Sequence, residues 1–419
     1  MFIEKQRYKL VDVYHEYPRP FWTLILITFI DRVGGAMLFP FFALYLTKRF
    51  AIGMTQVGIL FAAFSVSSLV GSMMGGALTD RLGRKSILIF GLIASSFSTL
   101  AMGFVSTFEI FFVMALFVGI LTDTAGPARQ AMIADMLPEE KRAQGYGIFR
   151  VAFNLSVVIG PAIGGLLAAR SYLALFIADA VISLIAAVLV SRFISETKPK
   201  VGPDLLQESM AGSFKGYFRV LRDTAFMLFL SASLLMALVY MNMNTTLGVY
   251  LRDTHSVPEA GYGWILSLNA AMVVLFQFTI TRRIENLPPM LMMAVGSALY
   301  AIGFAMYGFV SVYWLFLMAM VIITIGEMIV APVGQALVAR FSPEDMRGRY
   351  MAVFGLSWTI PFAIGPYLAG LLLDNYDQRL LWYIAGFIGL LAVVGFLTLH
   401  RRVEEKDKSI PPITIQEPV

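Results

Sequence analysis

Cysteine is absent from the 419-residue sequence, histidine occurs three times, and only 14% of the residues are charged. The absence of cysteine excludes disulfides and thiol chemistry. Charge this sparse, set against 58% hydrophobic residues, excludes an ordinary soluble domain, in which about a quarter of the residues are charged. The sequence also lacks a metal-ligand cluster, a catalytic triad and a phosphate-binding glycine loop, which excludes an ATP-driven pump on this chain alone. We therefore predict a polytopic membrane protein that is not an enzyme and needs no metal or cofactor.

The sequence contains many long runs of apolar residues. Twelve of them reach the roughly 20 residues that a helix needs to cross the hydrocarbon of a bilayer. The predicted spans, numbered 1 to 12, lie at 20–46, 54–78, 87–106, 109–134, 144–168, 172–193, 224–249, 260–281, 288–308, 311–337, 348–373 and 379–400. The charged N-terminal tail is followed by no small-residue cleavage site, so we do not expect a removable signal peptide. The predicted fold class is all-α, with twelve transmembrane helices.

Basic residues are distributed unevenly between the two sides that alternating spans define. Both tails and the loops 2/3, 4/5, 6/7, 8/9 and 10/11 hold 24 of the 32 Lys and Arg residues. The other side holds five, which are Lys48, Arg49, Arg170, Arg252 and Arg379. Because Lys and Arg accumulate on the cytoplasmic side of membrane proteins, both termini are predicted to be cytoplasmic.

The two halves of the chain repeat each other. The run GPARQAMIADMLPEEKR from Gly126 aligns without a gap on APVGQALVARFSPEDMR from Ala331. At the same offset, GPAIGGLL from Gly160 aligns on GPYLAGLL from Gly365. A constant offset through spans 4 and 5 predicts two six-helix bundles that are related by a repeat.

The repeat and the apolar runs together predict the domain organisation. An N-terminal bundle with its tail occupies 1–193, a cytoplasmic linker 194–223, and a C-terminal bundle with its tail 224–419. We interpret the linker as a tether. Its second part is compatible with an amphipathic helix on the inner leaflet, because apolar residues recur every four positions, at Leu206, Met210, Phe214 and Phe218.

The connection between spans 2 and 3, GGALTDRLGRKS from Gly75 to Ser86, places four charges between two apolar runs. Its spacing resembles the signature loop between spans 2 and 3 of the major facilitator superfamily. The matching positions are Gly76, Asp80, Arg81, Gly83, Arg84 and Lys85. The resemblance extends over nearly the whole chain and implies the major facilitator fold, with a substrate cavity between the two bundles.

The resemblance implies that this loop is a cytoplasmic latch. Asp80 would face the start of span 11, and Arg84 would pair with an acid at the base of span 4, here Asp135. A carboxylate is favoured near a helix N-terminus, and an ion pair at a protein-lined surface can break as two bundles rock. The alternative is that Arg81, Arg84 and Lys85 only fix the topology. In the repeat, Arg340 stands where Asp135 would, so the latch is predicted to be one-sided.

Acidic residues inside the spans are the candidates for proton coupling and substrate binding. A charge at bilayer depth costs about 2.5 to 3.5 kcal/mol and is tolerated only where it faces protein or water. A buried carboxylate is destabilised by desolvation and stabilised by a nearby cation, and this balance lets it exchange a proton near neutral pH. The alternative, favoured for Asp179, is a structural ion pair between spans. The candidates are Asp31, Asp123, Asp179 and Glu327.

Three arginines lie in or at the edge of spans. The family commonly carries an arginine in span 4 at the position of Ala115, and its absence leaves Arg32, Arg129 or Arg150 as substitutes. Arg32 adjoins Asp31 in sequence, but neighbouring side chains on a helix point about 100° apart, so it is free to meet Asp123 or another acid. Arg150 lies well inside span 5. We expect Arg129 to reach the cytoplasmic surface by snorkelling.

Span 5 contains Gly160, Pro161, Gly164 and Gly165, which resemble the core of a motif associated with antiporters of this superfamily. A proline kink with small residues on one face permits close packing against a facing helix and can seal the cavity against proton leak. Ser156 replaces a further glycine of the family pattern. Polar and aromatic residues predicted to line the cavity are Asn154, Tyr240, Asn242, Asn244 and Asn269.

The predicted function is proton-coupled efflux of amphiphilic, cationic drugs by alternating access, typical of a multidrug antiporter that confers antibiotic resistance. Its partners would be small amphiphilic molecules, protons and the lipid bilayer, with no nucleic acid, and it would act as a monomer in the bacterial inner membrane. Two alternatives stay open. One is a symporter or facilitator that imports a nutrient, and the other is a lipid-translocating carrier that keeps the fold.

Overall fold

The computed structural model describes residues 16–198, 218–343 and 346–408. Within these ranges, twelve helices are long and apolar enough to cross a membrane, as predicted, and their ends lie within a few residues of the predicted ones. Spans 1 and 4 each comprise two helices, and a short helix follows span 7, so the described α-helices are Arg19–Leu38, Phe42–Phe50, Met54–Leu82, Arg84–Phe104, Phe108–Thr122, Ala125–Met136, Glu139–Arg170, Tyr172–Phe193, Thr224–Thr245, Leu247–His255, Glu259–Ile284, Pro289–Phe309, Tyr313–Phe341, Arg347–Asn375 and Leu380–Lys408. The predicted amphipathic pattern from Leu206 to Phe214 lies outside the described residues.

Two prolines explain why spans 1 and 4 are each built from two helices. Pro40 lies in a 3₁₀ turn, Phe39–Phe41, that separates the two helices of span 1. In span 4 the first helix ends at Thr122 and the second begins at Ala125. Pro127 lacks an N–H, and its ring would clash with the carbonyl of Asp123 in a continuous helix. The break therefore leaves Asp123 at an irregular position within the span.

Contacts between Cα atoms divide the chain into two compact units. The first unit comprises the described residues of Met1–Leu205, Met243–Val274 and Pro366–Asn375, and the second comprises those of Leu206–Asn242, Leu275–Gly365 and Tyr376–Val419. Apolar side chains of spans 1, 3, 4 and 6 form a core in the first unit. Aromatic rings fill a corresponding core in the second unit, namely Phe226, Phe229, Phe341, Phe354 and Phe396. The boundaries at 193 and 224 stay a prediction.

The first unit has two ends, which we name by their connections. The loop end carries Gly75–Ser86 between spans 2 and 3. The far end carries the connection between spans 1 and 2. There, the carboxylate of Asp374 accepts hydrogen bonds from the backbone N–H groups of Met54, at 2.8 Å, and Thr55, at 2.7 Å. This carboxylate satisfies two of the N–H groups that the start of span 2 leaves without an intrahelical partner.

Candidate functional site: a charged cavity in the first unit

A cavity of about 480 Å³ lies among the helices of the first unit. Charged and polar side chains from spans 1, 4, 5 and 6 line it, together with Asn244 at the end of span 7. It brings together the predicted charged residues Asp31, Arg32, Asp123 and Asp179, and it adds Arg129. Two further predicted residues, Pro161 and Asn244, also line it. Three carboxylates and two guanidiniums therefore share one space, whose walls include Phe39, Pro40, Phe64, Phe153 and Val157.

An ion pair between spans 1 and 4 forms one side of the cavity. A terminal nitrogen of Arg129, Nη2, lies 2.8 Å from Oδ2 of Asp31, and the Ser183 hydroxyl donates to Oδ1 of the same carboxylate at 3.3 Å. The negative charge of Asp123 also acts on Arg129. The pair offsets part of the cost of removing both charges from water, and the extra donor satisfies the carboxylate further.

The expectation that Arg129 reaches the surface by snorkelling is wrong. Its side chain is buried, and the residue is 4% exposed. The second helix of span 4 continues to Met136, so Arg129 lies deeper than the predicted end of the span suggested. An acid within reach also changes the energetics, because an ion pair with Asp31 replaces the water that a snorkelling side chain would seek. Its Nη1 atom is buried without a hydrogen-bond partner.

Arg32 points away from Asp31, as the helical geometry allows. Its guanidinium lies over the ring of Phe153, 5.7 Å from the centroid, and its Nε is buried without a hydrogen-bond partner. A cation above an aromatic face is stabilised by the ring quadrupole. Within the described ranges, no carboxylate lies within 4.0 Å of this guanidinium.

Asp179 is a buried carboxylate on the wall of the same cavity. The charge of Asp31 acts on it. Gly34 gives it room, since a Cβ at that position would lie 2.6 Å from its Oδ1. The alternative prediction for Asp179 was a structural ion pair between spans. In the part of the chain that the structure describes, no Lys, Arg or His nitrogen lies within 4.0 Å of its carboxylate.

An apolar side pocket of about 200 Å³ adjoins the charged cavity. The two spaces share Gly35, Phe39, Phe64, Ser95 and Thr122 as walls. The remaining lining is almost entirely apolar, with Leu38, Phe42, Leu60, Phe61, Met102, Ala115, Val118 and Phe176. A ligand that placed a charge beside the carboxylates could therefore place an apolar group in this pocket.

In the second unit, Glu327 sits in an aromatic environment. The Tyr240 hydroxyl donates to Oε1 of Glu327 at 2.9 Å. The Tyr240 ring also packs against Tyr300 and Trp358, with both centroid distances 5.7 Å. The predicted site residues Glu327 and Tyr240 are thus joined directly. Aromatic rings around a carboxylate suit a cationic group.

The loop end contains the ion pair that the resemblance implied. Nε of Arg84 lies 3.0 Å from Oδ2 of Asp135, and both side chains are largely buried. Asp80 is 74% exposed and lies 3.4 Å from Arg84. Two further residues of the predicted latch lie in the same loop. The side chain of Arg81 is exposed, and the amine of Lys85 donates a hydrogen bond to the carbonyl of Ser191. The role of the loop as a latch stays a prediction.

The three glycines of the predicted loop have different surroundings. Gly83 has φ of +104°, a conformation that glycine adopts without strain, at the turn between spans 2 and 3. A Cβ at Gly76 would meet no atom within 4 Å, whereas one at Gly75 would meet the backbone of Thr124 at 2.5 Å. Close approach of spans 2 and 4 therefore depends on Gly75.

Glu196 is a central residue of the loop end that the sequence analysis missed. Its carboxylate accepts backbone hydrogen bonds from Arg84, at 2.8 Å, and Lys85, at 3.1 Å, and also from Thr197 and Lys198. Partial burial raises the pKa of Glu196, but the four N–H groups outweigh burial and hold the pKa below its usual range. The sequence feature that could have indicated this role is an acidic residue in the run SETK, directly after span 6.

The span 5 motif packs closely, as its small residues predict. A Cβ at Gly160 would lie 2.5 Å from Ala36, and one at Gly164 would lie 2.4 Å from the carbonyl oxygen of Met37. Gly165 faces Gly263 of span 8. Span 5 therefore contacts two helices of the first unit through these positions. The role of the motif in antiport stays a prediction.

The remaining predicted residues do not line the charged cavity. Arg150 and Asn154 are exposed on span 5, and Asn269 is buried in span 8. The amide of Asn242 donates to the carbonyl of Leu238 in its own helix. Of the predicted amides, Asn244 alone lies on the wall of the cavity.

Comparison with known proteins identifies the family. The model of the Major Facilitator Superfamily matches residues 24–261 and 229–417. A Na(+), Li(+), K(+)/H(+) antiporter of Planococcus maritimus is 29% identical over 357 residues, which cover 79% of this chain and 84% of that protein. The quinolone resistance protein NorA of Staphylococcus aureus is 22% identical over 389 residues, which cover 91% of this chain and 97% of NorA.

Solved structures show the same fold at low sequence identity. A crystal structure of a POT family transporter in complex with 5-aminolevulinic acid aligns with a TM-score of 0.76 at 16% identity, covering 92% of this chain and 97% of that chain. The nucleoside transporter NupG aligns with a TM-score of 0.73 at 13% identity, covering 91% of this chain and 99% of that chain. With twelve apolar helices and a family match over most of its length, the chain belongs to the Major Facilitator Superfamily.

Proposed function

We propose that this transporter is a proton-coupled antiporter that exports amphiphilic organic cations by alternating access. The observation that carries the proposal is the charged cavity of the first unit, with its apolar side pocket. The names of two relatives, a Na(+), Li(+), K(+)/H(+) antiporter and a quinolone resistance protein, support the same function.

The charge balance of the cavity supports competition between a proton and a cation. Asp31, Asp123 and Asp179 carry three negative charges when ionised, and Arg32 and Arg129 carry two positive charges. One negative charge is therefore left over, and either one proton or one monovalent cation would neutralise it. Mutually exclusive occupancy of the same carboxylates couples the two fluxes in opposite directions.

The side pocket supports an organic rather than a hydrated inorganic cation. Its lining of Phe42, Phe61 and Phe176 offers an apolar surface to an aromatic or aliphatic group. The Phe39 and Phe64 rings lie on the boundary between the two spaces, where they can contact both ends of one ligand. A cation that bears an apolar group would thus be held at both ends.

The proposal is tested in proteoliposomes with an imposed pH gradient and an aromatic monovalent cation such as ethidium. Addition of the cation should release protons from the wild type, and Asp31→Asn or Asp179→Asn should abolish that release. Glu109→Gln changes an exposed acid outside the cavity and should behave as the wild type. Gradient-driven efflux that survives the triple change Asp31→Asn, Asp123→Asn and Glu327→Gln would remove the assignment.

A second candidate is antiport of an alkali cation for protons, which the similarity to the Planococcus antiporter favours. The two candidates share the carboxylates and differ in the use of the side pocket. Ala115→Leu narrows that pocket, so it should weaken ethidium efflux and leave any sodium-driven proton release unchanged. Proton release with Na⁺ but not with ethidium would select the second candidate, and inward accumulation of a polar solute would select a symporter.

A further inference from the structure

We propose that the far end of the first unit carries a binding site for the phosphate group of an anionic phospholipid, centred on Arg49. A second cavity, of about 470 Å³, lies there. It shares no lining residue with the charged cavity described above, so it is a separate space. Its lining residues are Tyr45, Lys48, Arg49, Gly103, Phe104, Tyr172 and Leu173.

The second cavity is lined by residues at the ends of membrane-spanning helices. Its residues come from the last turn or two of helix Phe42–Phe50, the end of span 3 at Phe104 and the start of span 6 at Tyr172. Helix ends that cross a bilayer lie near its polar interface, where tyrosine and basic side chains are enriched. A headgroup can therefore reach this cavity without leaving the membrane surface.

The positive charges in the second cavity are not equally compensated. The amine of Lys48 lies 3.1 Å from the carboxylate of Glu259, which also accepts a hydrogen bond from Tyr172 at 2.9 Å. Arg49 has no carboxylate within 4.0 Å among the described residues. The ion pair neutralises Lys48, so the guanidinium of Arg49 is the charge that remains for an anion. Arg is well suited to phosphate because its planar fork donates two parallel hydrogen bonds.

The buried hydroxyl of Tyr45 is a second, independent observation that points to an anionic ligand. Tyr45 is 4% exposed, and its hydroxyl has no hydrogen-bond partner among the residues that the structure describes. The positive charge of Arg49 acts on this hydroxyl. A buried hydroxyl without an acceptor costs free energy, and a phosphate oxygen beside Arg49 would remove that cost by accepting from both groups.

Apolar surface beside the second cavity indicates that the phosphate belongs to a lipid. Phe104 is 65% exposed at the edge of the cavity, and Phe97, two helical turns along the same face of span 3, is 65% exposed as well. Ile177, one turn from Leu173 on span 6, continues this surface. Acyl chains attached to a bound headgroup would lie along these side chains, whereas a soluble phosphate would gain nothing from them.

The position of the basic pair also argues for a specific role. Lys48 and Arg49 are two of the five basic residues on the side that the sequence predicts to be outside. Lys and Arg accumulate on the cytoplasmic side of membrane proteins, so topology does not account for two of them on one cavity wall here. Binding of an anion gives them a function that the transport cavity does not require.

The site is tested by native mass spectrometry of the full chain, purified in detergent and titrated with phosphatidylglycerol or with zwitterionic phosphatidylcholine. The wild type should retain phosphatidylglycerol preferentially. Arg49→Gln should weaken its retention about tenfold, the size expected for one charge-assisted contact. Tyr45→Phe, which keeps the packed ring, should weaken it by a smaller factor, and Arg49→Lys should restore part of the loss. Arg170→Gln, an exposed arginine on the same predicted side, should change nothing.

A parallel titration with inorganic phosphate separates the two sources of the group. Thermal stabilisation by millimolar phosphate that Arg49→Gln abolishes, without any preference among lipids, would assign the site to soluble phosphate and overturn the lipid assignment. Equal retention of phosphatidylglycerol by the wild type, Arg49→Gln and Tyr45→Phe would overturn the site itself. None of these measurements uses transport, so their outcome is independent of the proposed antiport.

Discussion

The loop end and the far end of the first unit share one kind of contact, a carboxylate that caps the start of a helix, but differ in the contacts around it. At each end a carboxylate accepts hydrogen bonds from the first N–H groups of a helix. Glu196 caps the start of span 3 at the loop end, and Asp374 caps the start of span 2 at the far end. The negative charge complements the positive end of the helix dipole in both cases.

The surroundings of the two caps differ. At the loop end, charged groups hold the segments together, through the Arg84–Asp135 pair and the amine of Lys198, which donates to the carbonyl of Arg81 at 2.9 Å. At the far end, backbones touch. A Cβ at Gly58 would lie 2.3 Å from the Cα of Tyr367, and one at Gly370 would lie 2.4 Å from the carbonyl carbon of Met54. At the loop end, charged contacts therefore add to the close packing at Gly75, whereas the contact between spans 2 and 11 at the far end depends on two glycines, Gly58 and Gly370.

The far end also repeats the spacing of the loop end. The sequence Gly76-x-x-x-Asp80 closes span 2, and Gly370-x-x-x-Asp374 closes span 11. In the first case the glycine faces open space and the acid is exposed, whereas in the second the glycine touches a backbone and the acid caps a helix. The same Gly-x-x-x-Asp spacing therefore makes different contacts at the two ends, so the spacing alone does not predict the contacts.

The largest expected effect is that of a side chain at the far end. Gly58→Ala forces a Cβ against the backbone of span 11, which cannot rotate away as a side chain would, so it should lower the free energy of unfolding by about 2 to 3 kcal/mol. Gly76→Ala on the same helix is the matched control and should be neutral or slightly stabilising. Thermal unfolding in detergent measures both. Equal midpoints for the two variants would contradict the role of close packing at the far end.

The next effect belongs to the charges of the loop end. Arg84→Ala leaves the largely buried carboxylate of Asp135 without its ion pair and should cost about 2 kcal/mol. Arg81→Ala removes an exposed charge from the same loop and should cost less than about 0.5 kcal/mol. The same unfolding assay applies. If the two substitutions lower the free energy of unfolding equally, the Arg84–Asp135 ion pair does not stabilise the loop end.

A smaller effect is expected at the far-end cap. Asp374→Ala removes both acceptors from the start of span 2 and should cost about 1 kcal/mol, the usual value of an N-cap. Asp374→Asn keeps one acceptor oxygen and should lose a part of that amount. A graded series of unfolding midpoints, wild type above asparagine above alanine, is the expected result. An alanine variant as stable as the wild type would show that water replaces the carboxylate.

The smallest effect is one of pH and belongs to Glu196. Because its folded-state pKa is below its usual range, the ionised carboxylate stabilises the fold above the unfolded pKa of about 4.3, and this contribution is lost as pH falls through the folded pKa. The midpoint difference between wild type and Glu196→Gln should thus be constant from neutral pH to about pH 5 and shrink below it. For Gly58→Ala the difference from wild type should not follow this curve. A Glu196→Gln difference that grows on acidification would refute the assignment.

The residues that sequence reasoning located share a simple property. Asp31, Asp123, Asp179 and Glu327 are charges in apolar runs, and the cost of such charges makes each one stand out without any knowledge of its neighbours. The Arg84–Asp135 contact followed from a resemblance. Arg129, Glu196 and Asp374 were misplaced or missed, because each lies near the end of a span, where a charge is unremarkable until its partner is known.

The sequence by itself determined the twelve helices, since apolar length and scarce charge leave a chain in a bilayer no other way to satisfy its backbone. Only the tertiary structure decided that Arg129 turns inward to Asp31 and that Asp374 reaches the start of span 2 across 320 residues. These contacts join distant segments, and their free energy depends on distance and burial, which no local pattern encodes.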